Sequence, residues 1–350
     1  MIEFLVEYGM FLAKIATVAV ALLFVVSGIA SVAARSRHQH EDGYLRVRHL
    51  NQEMENLRDG LRHEILTEAE SKAEEKRRRR DEKAKRKAEK KLPPGPSNRR
   101  ARVFVLDFDG DVHASAVEDL RKEISAVLQV AEGQDEVVVR LESPGGLVHS
   151  YGLASSQLRR ITAQGVHLTV SVDQVAASGG YMMACIAEKI LAAPFAVVGS
   201  IGVVAQIPNF HRLLKKNDID VELLTAGEYK RTLTMFGQNT DSDRAKFQEE
   251  LEDTHALFKD FVRENRRGLD IGRVATGEHW YGVRALELGL VDELVTSDEY
   301  LLRRSKDADV YEVSWQVKRS LAERLGLATE GAVVRGLERW FHRGSQRLLK

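Results

Sequence analysis

The 350-residue chain is predicted to carry an α/β domain built around a largely buried sheet. Three observations predict it. Hydrophobic residues make up 43% of the chain, enough for one or two domains with substantial cores. From Arg102 onward, short runs rich in β-branched residues alternate with longer runs of helical spacing. Pro194, Gly199, Ser200 and Gly202 interrupt the apolar stretch 190–207, so it reads as short strands.

The elements follow in order. Residues 102–108 and 136–142 predict strands, with an amphipathic helix over 116–131 between them. Residues 152–164 predict a helix and 166–172 a strand. A further helix begins near Ser178, and 189–198 and 202–207 predict short buried strands after it. The apolar stretch 190–207 is broken by Pro194, Gly199, Ser200 and Gly202 and edged by Glu188 and Lys189, so strands fit it better than a membrane span. Residues 241–267 predict one long helix, acidic in its first half, with Arg263, Arg266 and Arg267 near its end, a charge order suited to the helix dipole. Residues 280–294 predict a short helix closed by Gly289 and a final strand. No internal repeat is visible, which implies one catalytic unit.

The region before this domain is of a different kind. Residues 15–34 are uncharged and mostly apolar, long enough for a transmembrane helix across a hydrocarbon core of about 30 Å. A cleaved signal peptide competes with that assignment, but Glu3 and Glu7 precede the apolar run and only Lys14 is basic, which favours an uncleaved anchor. Arg35, Arg37, Arg46 and Arg48 follow it and, by the positive-inside rule, favour a cytoplasmic location for what comes next. The formal net charge is zero, yet residues 71–91 hold 12 Lys/Arg against 5 Asp/Glu. Without interleaved aromatics, this run reads as a solvated helix or spacer near lipid head groups and not as a nucleic-acid site. Three of the six prolines fall in "LPPGPSNRR", residues 92–100. The expected divisions are an anchor over 1–36, a charged helical stalk and linker over 37–100, the catalytic domain over 101–317, and a C-terminal helix over 318–350. In that last segment Val333, Val334, Leu337, Trp340 and Phe341 form an apolar stripe, and Arg335, Arg339, Arg343 and Arg347 recur every four residues. Such a helix suits a membrane surface, an acidic partner, or packing on its own domain or a neighbouring subunit.

One cysteine, Cys185, excludes an intrachain disulfide, and the scattered histidines form no metal-binding motif, so neither metal nor other cofactor is expected. The chemistry-bearing stretch is "QVAASGGYMMAC", residues 174–185. Ser178 there stands at the first turn of a helix, where free N–H groups and the dipole favour an oxyanion. Gly179 and Gly180 permit close backbone approach, and "ESPGG", residues 142–146, offers a second such N–H. A serine followed by two glycines is also a common turn. Position 176 is alanine, so no GxSxG elbow is present, and His167 and His211 lack a triad context. Lys230 follows the strand-like "VELLTA" among apolar and small residues able to desolvate it, which would lower its pKa toward that of a neutral base.

"ESPGG", "QVAASGGYMMAC", "GSIGV" (199–203), "GEYK" (227–230) and "WYGVRALELGLVDEL" (280–294) occur in an order and spacing that resembles the signal-peptide-peptidase (SppA) family of Ser-Lys membrane proteases, in its short, single-unit form. The resemblance covers residues 100–300 well and the N-terminal region more loosely. It implies a ClpP/crotonase-type α/β fold, a bacterial inner-membrane enzyme facing the periplasm, peptide substrates and a homo-oligomer. By the same resemblance Ser178 matches the nucleophile, Lys230 the general base, and Ser200 the hydroxyl that orients the lysine. The N–H groups of Gly179 and Gly146 match the oxyanion hole. Two rivals use the same residues: a crotonase-type acyl-CoA hydratase or isomerase, separable by CoA binding, and a membrane scaffold with a degenerate protease domain, separable by activity.

Overall fold

Val137, Val138 and Val139 are consecutive and all fully buried, so their strand is covered on both faces, as in a parallel sheet flanked by helices. In the computed structural model, residues 43–67 and 99–317 are described, apart from residue 228, with isolated positions in 10–17 and 69–87. The chain divides into two units, residues 46–315 and residues 1–45 with 316–350, and the second is described at few positions.

The strands are β1 (Gly43–His49), β2 (Ala101–Asp109), β3 (Glu136–Glu142), β4 (His167–Val172), β5 (Val175–Ala177), β6 (Lys189–Ala192), β7 (Val197–Gly199), β8 (His279–Tyr281), β9 (Glu293–Leu294) and β10 (Ala308–Val317). Among the described residues, seven of them form one sheet in the order β1-β10-β2-β3-β4-β6-β9, parallel from β10 to β9. A smaller sheet has the order β5-β7-β8, with β5 and β7 parallel and β8 antiparallel. The helices are α1 (Leu50–Ile65), α2 (Val117–Val127), α3 (Val148–Ala163), α4 (Gly179–Ala184), α5 (His211–Lys216), α6 (Asp241–Asn265), α7 (Ile271–Val274), α8 (Gly282–Glu287) and α9 (Ser297–Arg304). In α2, Val117, Leu120, Ile124 and Val127 make the buried face, and in α3 it is made by Tyr151, Ala154, Leu158 and Ile161. The result is the mixed α/β architecture with a central sheet that the alternating pattern predicts.

Several boundaries coincide with expectation. The strand over 136–142 is observed at those residues. The long acidic helix is α6, opened by a capping box in which Thr240 and Asp243 satisfy each other's backbone N–H groups. Gly289, with φ of 77°, closes α8.

Three expectations differ. Residues 202–207 form no strand, and Val204 is 91% exposed: the run has strand composition but no neighbouring strand to pair with among the described residues. "VELLTA" is likewise irregular and exposed. β9 is not the final strand, because β10 follows it and pairs with β2. The start of α1 packs into the compact unit. Leu50 is buried against Val103, Leu301 and Val310, and Arg48 bonds Glu312 at 2.8 Å. The Asn51 amide donates to the carbonyls of Ser305 and Ala308 at 3.0 Å each and accepts from Val310 N–H at 2.6 Å. The rest of α1 is mostly solvated, as its charge density predicts.

Among the described residues no helix is long and apolar enough to cross a membrane. The predicted anchor over 15–34, most of the basic run and linker, and the amphipathic helix near the C-terminus lie outside the described residues, apart from isolated positions.

Candidate active site

Parallel strands deliver their following loops to one end of a sheet, where ligand sites of α/β proteins gather. Three loops meet here in that way. β5 and β7 pair in parallel with Ala177 opposite Gly199, so Ser178 and Ser200 leave the sheet side by side. An isolated parallel bridge joins Ser143 to Ala176, which brings the end of β3 and its Pro-Gly-Gly turn to the same place.

Ser178 is the N-cap of α4 and has φ of 52° and ψ of −116°. A non-glycine residue with positive φ carries strain on the order of 1–3 kcal/mol and persists only where its surroundings impose it. They do so here. Ser178 N–H donates to the Gly199 carbonyl at 2.8 Å, and the Ser178 carbonyl accepts from Met182 N–H at 3.0 Å. A Cβ on Gly145 (φ 91°) would stand 2.7 Å from Ser178 Cβ and 2.9 Å from Gly179 N, so only glycine lets the two loops approach this closely.

The backbone donors beside Ser178 can be accounted for one by one. Gly145 N–H donates to Ser143 Oγ at 3.1 Å, and Leu147 N–H donates to the Val112 carbonyl at 2.9 Å. Between them, Gly146 N–H has no partner among the described residues. Gly179 N–H, at the first position of α4, has none either, as expected of a helix start. Gly180 N–H likewise has no partner among the described residues, so Gly146 N–H and Gly179 N–H are unengaged donors next to Ser178, one from each glycine pair.

Ser200 also has φ of 52°, directly after Gly199 with φ of 94°. Its N–H donates to the Glu278 carbonyl at 2.7 Å. The next carbonyl, that of Ile201, accepts from Gly277 N–H at 3.1 Å and lies 3.1 Å from His255 Nε2 on α6. Strand pairing with β8 and this contact from α6 hold the Ser200 loop beside Ser178.

Lys230 stands apart from this cluster. It lies in an irregular excursion closed at its base by Phe210 N–H donating to the Met235 carbonyl at 2.7 Å and by the stacked rings of Phe210 and Phe236. Among the described residues no hydrogen bond or ion pair joins its side chain to Ser178 or Ser200. Its apolar neighbours do not cover it, contrary to expectation, since Leu224 is 90% exposed and Lys230 itself is exposed. The later part of the excursion leans on α6, where Lys246 Nζ sits 4.9 Å from the Tyr229 ring.

His167 and His211 are not part of the cluster: His167 lies 3.9 Å from Glu188, and His211 opens α5 in the excursion. Cys185 is buried, its thiol pushed up to about 12 by desolvation, so it remains protonated and unreactive. Among the described residues no group of three or more His, Cys, Asp and Glu could hold a metal ion.

Sequence reasoning missed the pair beneath the Pro-Gly-Gly turn. Ser143 Oγ lies 2.5 Å from Tyr151 Oη, which donates to the Asp111 carbonyl at 2.8 Å. The base of the tyrosine side chain also packs against Gly179. A Cβ there would overlap Tyr151 Cγ and stand 2.7 Å from Cδ2. Gly179→Ala is therefore expected to lower stability by about 1–3 kcal/mol. Gly152→Ala, at a helix position with nothing within 4 Å, is expected to raise it by up to about 1 kcal/mol. Thermal unfolding of the two variants beside the parent chain checks both signs.

The sequence matches the family model described as Peptidase family S49 N-terminal over residues 3–158 and the model described as Peptidase family S49 over residues 160–311. The chain belongs to peptidase family S49 and is a serine-type peptidase. It is 51% identical over 342 residues to Probable protease SohB of Haemophilus influenzae, a match spanning 97% of this chain and 96% of that one. Against Probable protease SohB of Buchnera aphidicola subsp. Schlechtendalia chinensis it is 47% identical over 307 residues, spanning 86% of this chain and 100% of the relative. Within the family the similarity is thus to the SohB branch of the SppA-type peptidases. A solved structure of a serine-to-alanine variant of the 1510-N membrane-bound stomatin-specific protease aligns with a TM-score of 0.43 at 12% identity, covering 61% of this chain and 98% of that one.

Proposed function

We propose that the chain is a membrane-anchored Ser-Lys endopeptidase, on a fold of ClpP/crotonase type, that cuts unfolded or membrane-derived peptides such as cleaved signal peptides. The observation that carries this reading is Ser178 held at positive φ on a helix start, between two unengaged backbone N–H groups. In the mechanism, neutral Lys230 takes the proton of Ser178 as Oγ attacks the peptide carbonyl. The N–H groups of Gly146 and Gly179 hold the tetrahedral oxyanion, and Lys230 returns the proton to the leaving amine. Water activated by the same lysine then releases the acyl-enzyme. Ser200, beside Ser178 by strand register, orients the lysine.

Lys230 reaches this site when its excursion closes over Ser178 in a homo-oligomer. Exposed apolar side chains along the excursion support that step: Val204, Leu213, Leu224 and Tyr229 are 91%, 58%, 90% and 57% exposed. Residues 15–34 anchor the chain in the bacterial inner membrane with the catalytic domain in the periplasm, and a C-terminal reporter active only there is the expected result. Activity of the reporter in the cytoplasm, which the arginines after residue 34 favour, would reverse the orientation.

The test of the reading is cleavage by the full chain in detergent. A synthetic apolar signal-peptide sequence is expected to be cut and a stably folded protein left intact, with no cutting by Ser178→Ala. Co-assembly of Ser178→Ala with Lys230→Ala chains is expected to restore part of the turnover if the lysine serves a neighbour's serine, and none if it serves its own. Cutting of the peptide by Ser178→Ala at the parent rate would overturn the reading.

A further inference from the structure

The two unengaged N–H groups belong to different loops, and one side chain touches both loops. We propose that Tyr151 is a positioning residue that holds Gly146 N–H and Gly179 N–H in register, its hydroxyl acting through Ser143 on one loop and its ring supporting the other. The inference rests on the assignment of those two groups to the oxyanion hole.

The hydrogen bonds can run in one direction only. The Asp111 carbonyl has no proton, so Tyr151 Oη–H donates to it at 2.8 Å. Gly145 N–H can only donate, so Ser143 Oγ accepts it at 3.1 Å. The remaining contact, 2.5 Å between Ser143 Oγ and Tyr151 Oη, must then carry the serine proton to the tyrosine oxygen. Every proton in the chain Gly145 N–H, Ser143 O–H, Tyr151 O–H, Asp111 carbonyl is committed. That commitment turns the Gly145 peptide toward Ser143. With Leu147 N–H tied to the Val112 carbonyl, Gly146 N–H is left as the one amide of three aimed elsewhere.

The ring acts on the other donor. Tyr151 is fully buried and edge-on to Phe108 at 6.5 Å, so it cannot retreat. Its Cβ, Cγ and Cδ2 fill the space that a side chain at Gly179 would need, and so set the height of the first turn of α4. A single rigid side chain thereby fixes both donors against each other, and an oxyanion hole depends on that fixed separation more than on either donor alone.

The test uses the full chain in detergent, a fluorogenic apolar tripeptide amide as substrate and a peptide aldehyde as a mimic of the tetrahedral state. Tyr151→Phe keeps the ring and removes the hydroxyl. It is expected to lower kcat about 10–100-fold with KM within about twofold, and to weaken aldehyde inhibition in proportion to kcat/KM. Ser143→Ala is expected to do the same, and the double variant to be no worse than either single one, because both break one chain. Tyr151→Phe with a lowered Tm and an unchanged kcat would overturn the proposal, leaving Tyr151 a core residue. If Tyr151→Phe does not fold, Ser143→Ala decides in the same way. Ser178→Ala separates this outcome from a failure of the enzymatic reading: if it still turns over the amide, the nucleophile assignment falls. If it is inactive while both hydroxyl variants keep full kcat, only the role of Tyr151 falls.

Discussion

Lys230→Ala is expected to reduce peptide turnover by at least about 10⁴-fold while leaving the unfolding temperature unchanged. The two halves of this expectation come from different features. A serine hydroxyl is a poor nucleophile until a base takes its proton, and the proposed function assigns that role to Lys230. The side chain of Lys230 is exposed and, among the described residues, makes no bond to the Ser178 cluster, so its removal takes nothing from the core. Ser178→Ala should be equally inactive and equally folded, because the strained backbone at that position is imposed by its bonds to Gly199 and Met182 and not by the hydroxyl. The double variant should be no slower than either single one, as for any pair acting as a unit. Steady-state hydrolysis of the apolar tripeptide amide, with Tm measured in the same buffer, checks the set.

Glu123→Gln is expected to remove about 3 kcal/mol of pH dependence from the stability of the chain. Glu123 is 5% exposed, on the buried face of α2 next to Leu120 and Ile124. One of its oxygens accepts from the Trp315 backbone N–H at 2.6 Å, and the other has no partner among the described residues. Desolvation raises its pKa from 4.5 to about 7, and the negative charges of Asp119 and Asp107 add to the rise, against the opposing effects of Trp315 N–H and Lys122. Between those two values the folded chain keeps a proton that the unfolded chain has lost. Stability is therefore fully present below pH 4.5, falls as pH rises toward 7, and levels off above it. Glutamine has no proton to lose, so the variant and the parent should converge at low pH and separate by about 3 kcal/mol above pH 7. Unfolding curves from pH 4.5 to 8 measure the difference; parallel profiles would mean that the carboxyl is solvated in the folded chain. Glu136 is the contrasting case: it too is buried, but Thr169, Tyr300 and Arg304 bond it at 2.7, 2.6 and 2.8 Å.

What the sequence disclosed and what it concealed divide along the range of the interactions. Val137 to Val139 and the periodic apolar positions of α2 and α3 report on their own burial, so those elements were legible from composition and period. Ser178 and Ser200 were legible as motif residues, and strand register explains why they belong together. Residues 202–207 and 221–226 have the composition of strands, yet a strand needs a neighbour, and composition does not say whether one is present. Asn51 illustrates the converse: a single polar residue in a charged helix ties α1 to the region around β10 through partners more than 250 positions away, which no local pattern records. Ser143 and Tyr151 had a faint signal, hydroxyl groups on either side of a Pro-Gly-Gly turn, but their pairing depends on where α3 lies on the sheet. Glu123 had a clearer one, an acid set among the apolar positions of an amphipathic helix.

The account rests on a lysine-activated serine at the start of α4, and a fluorophosphonate probe tests this most directly. The full detergent-solubilised chain would be labelled at pH 7 and pH 9 beside Ser178→Ala and Lys230→Ala, and the modified peptide located by mass spectrometry. The predicted result is an adduct on Ser178 that grows with pH and is absent in both variants. Labelling of Lys230→Ala at the parent rate, or no labelling of the folded parent at either pH, would contradict it.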